Sequence, residues 1–224
     1  GMQSLPRALA RRAPFTVRDA VAASFAGFFA SWRNNRNRDG AKEYNLAHAP
    51  RHASSENYLR SCANFFDSMP DGKILTVIRE PESWVASFHK PGITRSSVED
   101  IVGFYEQYLD ALGHVISSAP PERFMLVDFR ALISSTRKTM ESLADFLGIG
   151  FADCLCQPTR NGAPETQPNT SFPSEARSGL IDTNTLRRGE HLEEGQRRMI
   201  RDVLAKPHEE VLRLAASRQL LYAA

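Results

Sequence analysis

Arg79 and Ser87 are the residues of this chain whose types and spacing most directly suggest chemistry. Arg79 follows the apolar run Ile74-Leu-Thr-Val-Ile78, and Ser87 comes eight positions later, beyond Glu80-Pro81. The run predicts a buried strand ending at Ile78, with Arg79 at its carboxyl end. Pro81 suits the first turn of a helix, where its missing N–H costs nothing. Ser87 then falls about two turns into that helix. Ligands of open parallel sheets bind outside the carboxyl ends of the strands. An arginine and a serine meeting there could hold phosphate or sulfate, by charge-assisted hydrogen bonds and by a hydroxyl. An ordinary strand–helix junction has the same punctuation, with Arg79 paired to Glu80 or Glu82.

The surrounding pattern predicts the elements that would position these groups. Thr16 is placed to cap a helix running to about Trp32, with Val21, Phe25, Phe28, Phe29 and Trp32 on one face. A weak strand is expected over 42–47, ended by Pro50. Ser54 or Ser55 then begins a helix bearing Leu59, Cys62, Ala63 and Phe66 on one side. Pro70-Asp-Gly72 turns the chain into the strand at 73–78, and a short helix follows from Pro81 to about His89. A long helix is expected from Ser96 or Ser97, with an apolar stripe from Ile101 to Ile116. Phe124 to Val127 reads as a further strand, and 136–147 as a helix with Gly148 just past its end. Residues 152–180 form a long loop rich in Pro, Asn, Thr, Ser and Gly, and two helices split at Pro207 close the chain. Strands alternating with helices predict an α/β fold, a parallel sheet flanked by helices.

The 224 residues suffice for one domain with a real core, and 2–224 is read as a single domain with a helical segment over 2–40. Lys and Arg total 28 against 26 Asp and Glu, so bulk charge argues against nucleic acid as a partner and any anion site must be local. Cys62, Cys154 and Cys156 are odd in number and lack disulfide-scaffold spacing, which suits reduced thiols and a cytoplasmic location. Cys154-Leu-Cys156 has no second pair or His cluster to complete a metal site, so no metal is expected. No apolar stretch approaches the ~20 residues of a membrane span. Gly1 ahead of Met2 is read as an expression scar.

The strand–Arg79–Glu–Pro81–helix–Ser87 arrangement resembles the 3′-phosphate-binding segment of the PAPS-dependent sulfotransferases. These enzymes move a sulfuryl group from 3′-phosphoadenosine 5′-phosphosulfate (PAPS) to an acceptor and release PAP. The resemblance implies a P-loop NTPase-like architecture and a 3′-phosphate held by Arg79 and Ser87. A second likeness is Arg123-Phe-Met-Leu-Val-Asp-Phe129-Arg-Ala-Leu132 leading to Phe146-Leu-Gly148. Phe129 stands where the family often has Tyr, and would either lie against adenine or belong to the core. A third is Leu186-Arg187-Arg188-Gly189, similar to the Arg-Lys-Gly segment that closes over the nucleotide phosphate. Glycine there lets backbone N–H groups approach an anion, and the arginines add charge. The stretch 152–190 would include a lid, centred on 161–177. The fourth is His48-Ala-Pro50, which resembles the catalytic His-x-Pro of many cytosolic members. Imidazole suits proton removal from an acceptor near neutral pH. The family's Lys two residues earlier is Leu46 here, and His52, His89 and Lys42 compete for the role.

One departure stands out. The family begins with a strand and a Ser/Gly/Thr-rich loop that cradles the 5′-phosphosulfate at a helix N-terminus. No such loop and no Gly-x-x-x-x-Gly-Lys-[Ser/Thr] occurs here. The motif resemblance therefore spans roughly 42–205 and leaves the sheet incomplete at its first strand. A deletion, a strand supplied by a partner chain, or a degenerate relative would each account for this. Two functions are expected: sulfuryl transfer to a hydroxyl or amine of a small-molecule or carbohydrate acceptor, or a non-catalytic binding module, with a homodimer covering the open sheet edge. A nucleotide kinase fits less well, because kinases depend on the missing loop.

Overall fold

The computed structural model describes residues 16–20, 55–89, 96–160, 163–164 and 181–223. Helix α1 spans Ser55–Ser68, strand β1 Ile74–Ile78, α2 Pro81–Phe88 and α3 Val98–Ser118. Strand β2 covers Phe124–Asp128, α4 Phe129–Ser134 and α5 Thr136–Leu147. A 3-10 turn at Asp153–Cys156 precedes the two-residue strands β3, Thr159–Arg160, and β4, Ala163–Pro164. A 3-10 segment, Thr183–His191, leads to α6, Glu194–Ser217, and β5, Leu221–Tyr222. The remainder of the N-terminal helix expected to reach Trp32, the strand expected at 42–47, His48 and most of 161–177 lie outside the described residues.

The main sheet has the order β1-β2-β5 and all its strands are parallel. Ile74 pairs with Phe124 and Ile78 with Asp128, so β1 and β2 end level with one another. The fold is therefore α/β, with a small parallel sheet flanked by helices. Among the described residues β1 pairs only with β2, which leaves β1 at a sheet edge. Alternation along the strands divides the two faces. Ile74 and Ile78 of β1 and Phe124 and Leu126 of β2 join a core with Tyr105, Leu109, Leu112 and Ile116 of α3. Ile200, Leu204, Val211 and Ala215 of α6 close that core. On the other face Val77 is 48% exposed, so this side of β1 is open.

Local signals explain most helix ends. Thr16 and Asp19 bond reciprocally, Asp19 N to Thr16 Oγ1 at 3.1 Å and Thr16 N to Asp19 Oδ2 at 3.0 Å, and residues 17–20 are helical as expected. Ser97 and Asp100 form the same reciprocal pair at the start of α3. Gly148 ends α5 at φ 73°, a left-handed conformation that glycine adopts without penalty. Basic side chains satisfy helix C-termini from a distance. Arg123 donates to Phe66 O at 3.2 Å and to Met69 O at the end of α1, and to Gly72 O at 3.0 Å in the turn that follows. Arg218 donates to Ile116 O and Ala119 O at the end of α3, and Lys73 to Phe146 O at the end of α5.

Several expectations need correction. The chain does not break at Pro207: α6 runs through it. Proline removes one hydrogen bond, but Ile200, Leu204, Val211 and Ala215 form one buried stripe on both sides of it, and that burial holds the helix together. On α1 Ala63 is exposed and Tyr58 takes the buried place beside Cys62. Phe129 opens a helix, α4, that the sequence pattern does not predict, with Asp128 accepting from Arg130 N at 2.9 Å as its cap.

Candidate functional site

The carboxyl ends of β1 and β2 are where the charged groups gather. Arg79 follows β1 directly, and α2 starts two residues later with Pro81 in its first turn. Glu80 caps α2, accepting from Glu82 N at 2.9 Å and Ser83 N at 2.8 Å. Glu82 accepts from Arg197 Nε at 2.8 Å and Arg201 at 2.9 Å on α6. Both acids that could have paired with Arg79 are thus engaged elsewhere.

Arg79 is half-buried, and its guanidinium lies over the Phe129 ring at 4.7 Å from the centroid. One terminal nitrogen donates to Thr185 O, and its buried Nε has no hydrogen-bond partner. Burial is the main cause that pushes the Arg79 pKa down, to about 10, and the nearby charge of Arg188 adds to it; Glu80 opposes the shift. The group remains cationic at neutral pH. The charge of Arg188 is near enough to oppose that of Arg79, and an anion between two such guanidiniums would relieve the repulsion.

The segment 183–191 brings Arg188 to this point. Asp182 caps it, accepting from Asn184 N at 2.9 Å. Ser83, buried on α2, donates to Leu186 O at 3.0 Å, the second tie besides Arg79 to Thr185 O. Gly189 is buried and lies against Glu82, where an added Cβ would come within 2.8 Å of the Glu82 Cβ. The absence of a side chain is what allows this approach. Arg187 faces outward, with its Nε 3.5 Å from Glu190 and its side chain 75% exposed.

Of the residues singled out from the sequence, the structure brings Arg79, Phe129, Arg188 and Gly189 into one neighbourhood. Ser87 lies on α2, but its hydroxyl donates to Trp84 O at 2.7 Å. Phe129 presents its ring to Arg79. His48 falls outside the described residues. Three further residues belong to this neighbourhood without a motif to mark them. Ser83 fastens the segment. Tyr105 on α3 donates to Arg79 O at 2.6 Å. His208 on α6 is partly buried, and its Nε2 is buried without a partner. Burial pushes the His208 pKa down, while Glu80, Asp128 and the Arg79 main chain oppose the shift. His208 follows Pro207 in a stretch the sequence marks as a helix break, which hides its position. The pattern Arg79-x-x-x-Ser83 sits one turn closer to the strand end than Ser87 and is a signal the sequence does carry. Among the described residues no group of three or more His, Cys, Asp or Glu could hold a metal ion, and no helix is long and apolar enough to cross a membrane.

The small parallel sheet flanked by helices, with Arg79 following β1 directly, defines an α/β protein. The chain belongs to the sulfotransferase family, whose sequence profile matches residues 6–153. The match takes in the N-terminal segment that the motifs leave out, and it stops before Arg188. Among solved structures the chain is similar to the sulfotransferase domain from the curacin biosynthetic pathway, with 16% identity and a TM-score of 0.48. That similarity covers 66% of this chain and 58% of the curacin domain, less than two thirds of the latter's length. A search of curated proteins finds no match.

Proposed function

We propose that this chain binds PAPS, releases PAP and transfers the sulfuryl group to a hydroxyl or amine of a small-molecule or carbohydrate acceptor. The observation that carries the reading is the meeting of Arg79 and Arg188 beyond β1, with Arg79 Nε buried and unpartnered. A 3′-phosphate supplies the acceptor oxygens that such a nitrogen needs. Family membership supports the sulfotransferase class. In this reading Arg79 and Arg188 hold the phosphate, and Gly189 keeps the backbone close to it. Arg187 swings in from solvent, and Ser87 turns its hydroxyl from Trp84 O toward the anion. Phe129 backs the Arg79 guanidinium on the side away from the phosphate. His48 is the candidate base for the acceptor proton. PAPS, when bound, supplies the activated sulfuryl group.

The test is calorimetric titration with PAP on the wild type and Arg79→Ala. Binding by the wild type, weakened about tenfold or more in the variant, is the expected result, because a lost charged hydrogen bond costs about 1.5–3 kcal/mol. Saturating PAP at a hundredfold excess over Kd should also stabilise the fold by about 2.7 kcal/mol. Equal affinity in both proteins would end the phosphate assignment. An acceptor screen in which His48→Ala keeps full turnover would remove His48 as the base.

A second reading is a non-catalytic binding or assembly module, favoured by β1 having a strand partner on one side only among the described residues and by the exposed Val77. Unpaired strand edges invite pairing with another chain. PAP binding without sulfuryl transfer to any acceptor, together with a dimer in sedimentation, would decide for the module. A monomer at micromolar concentration would count against the assembly version.

A further inference from the structure

We propose that Tyr105 is a positioning residue for the anion site, fixing Arg79 through its main-chain carbonyl. This rests on the reading of Arg79 as a phosphate ligand. The carbonyl of Arg79 sits at the junction of strand and helix. The β1–β2 ladder ends with the pair Ile78 and Asp128. The first helical bond of α2 uses the next carbonyl, Glu80 O, which accepts from Trp84 N at 2.9 Å. Arg79 O therefore belongs to neither ladder, and a carbonyl in that position needs a partner. Tyr105, with 0% exposure, donates to it at 2.6 Å.

The same phenol ring stacks on Trp84 of α2, with centroids 4.2 Å apart and planes 18° apart. Tyr105 thus holds the residue before α2 by its hydroxyl and α2 itself by its ring. Burial raises the Tyr105 pKa above that of an ordinary phenol, so the hydroxyl keeps its proton at neutral pH. His208 of α6 also hydrogen-bonds the Arg79 main chain, while its Nε2 has no partner, so Tyr105 shares the holding of this junction with α6. The side chain of Arg79 must oppose Arg188 without turning away into solvent. Pinning the carbonyl fixes the backbone from which that side chain departs. Arg79 then keeps one direction while no anion is present, and little ordering remains to be done when one arrives.

Tyr105→Phe removes one oxygen and leaves the stacking ring in place. Tyr58→Phe is its control, since Tyr58 is also buried and its hydroxyl meets Thr76 Oγ1 at 3.2 Å, away from the arginines. PAP should bind Tyr105→Phe about three- to tenfold more weakly, the loss expected of one hydrogen bond, while Tyr58→Phe should keep wild-type affinity. In the ligand-free proteins, NMR relaxation of the Arg79 Nε–H should show greater motion in Tyr105→Phe only. Unchanged PAP affinity in Tyr105→Phe, beside an effect of Arg79→Ala, would overturn the proposal and leave the phosphate site standing. Should the wild type bind no PAP, the proposed function fails, and the motion of Arg79 alone decides whether Tyr105 positions it. If Tyr105→Phe does not fold, exchange of the Tyr105 hydroxyl proton in the wild type decides instead. Slow exchange with water supports the bond, and exchange as fast as that of the half-buried Tyr222 overturns it.

Discussion

The guanidinium of Arg79 lies over the ring of Phe129, 4.7 Å from its centroid. The two residues come from the ends of neighbouring parallel strands, whose register brings Ile78 opposite Asp128. A cation facing an aromatic ring in a half-buried place gains about 0.5–2 kcal/mol. Phe129→Leu keeps an apolar side chain but removes the ring. Anion affinity should fall about two- to thirtyfold by the loss of that contact, with a melting temperature close to wild type. Titration with PAP beside thermal melting separates the two effects.

Gly189 should tolerate no side chain. A Cβ there would stand 2.8 Å from the Glu82 Cβ and 3.3 Å from the Glu82 carbonyl carbon. Glu82 cannot move away easily, because Arg197 and Arg201 both hold it. Gly189→Ala should therefore displace the 183–191 segment, at an overpacking cost of about 1–3 kcal/mol. Arg188 would move with it. The expected outcome is weaker PAP binding and faster tryptic cleavage at Arg187 and Arg188, read by limited proteolysis.

His208 makes stability depend on pH in a stated direction. Its pKa in the folded chain lies below the ordinary value, first because of burial. The unfolded chain therefore takes up the proton more readily, with a pKa of about 6.5. Stability is full above that value and declines as pH falls from it toward the lower folded pKa. Glu80, Asp128 and the Arg79 main chain face the ring and reduce the decline without reversing it. Urea denaturation between pH 5 and pH 8 should show a weaker pH dependence in His208→Gln than in the wild type. Parallel curves would show that His208 does not report burial.

Arg123 should matter to stability more than an ordinary half-exposed arginine. It donates to carbonyls of Phe66, Met69 and Gly72 and lies 4.9 Å from the Phe66 ring centroid. Arg123→Ala leaves the end of α1 without these donors. A loss of about 2–3 kcal/mol is expected, the range for hydrogen bonds to a charged group. For a domain of this size that corresponds to a fall in Tm of roughly 4–12 °C. PAP affinity should stay at the wild-type value, since Arg123 is at the opposite end of β2 from Asp128.

The part of the fold legible along the chain alone is local. An apolar run ending before Arg79, Pro81 two residues on, Ser97 with Asp100 and Gly148 after Leu147 each act within a few residues. The corresponding strand and helix ends appear where those signals stand. Polar caps and glycine conformations need no distant partner, so their outcome is readable in order along the chain. The convergence of Arg79 with Arg188 was suggested only by a likeness of motifs. What the folded arrangement adds is the seating of residues 183–191 by contacts of long range, Arg79 to Thr185 O and Ser83 to Leu186 O. The same holds for α6, where burial on both sides of Pro207 outweighs the local signal to stop. It holds too for β5, two residues long, which has no alternation to read and becomes a strand only because β2 offers it a free edge. Tyr105 shows the limit most clearly. Its spacing marks it as one more apolar residue of a helix stripe, and only the fold sets its hydroxyl against the carbonyl of Arg79.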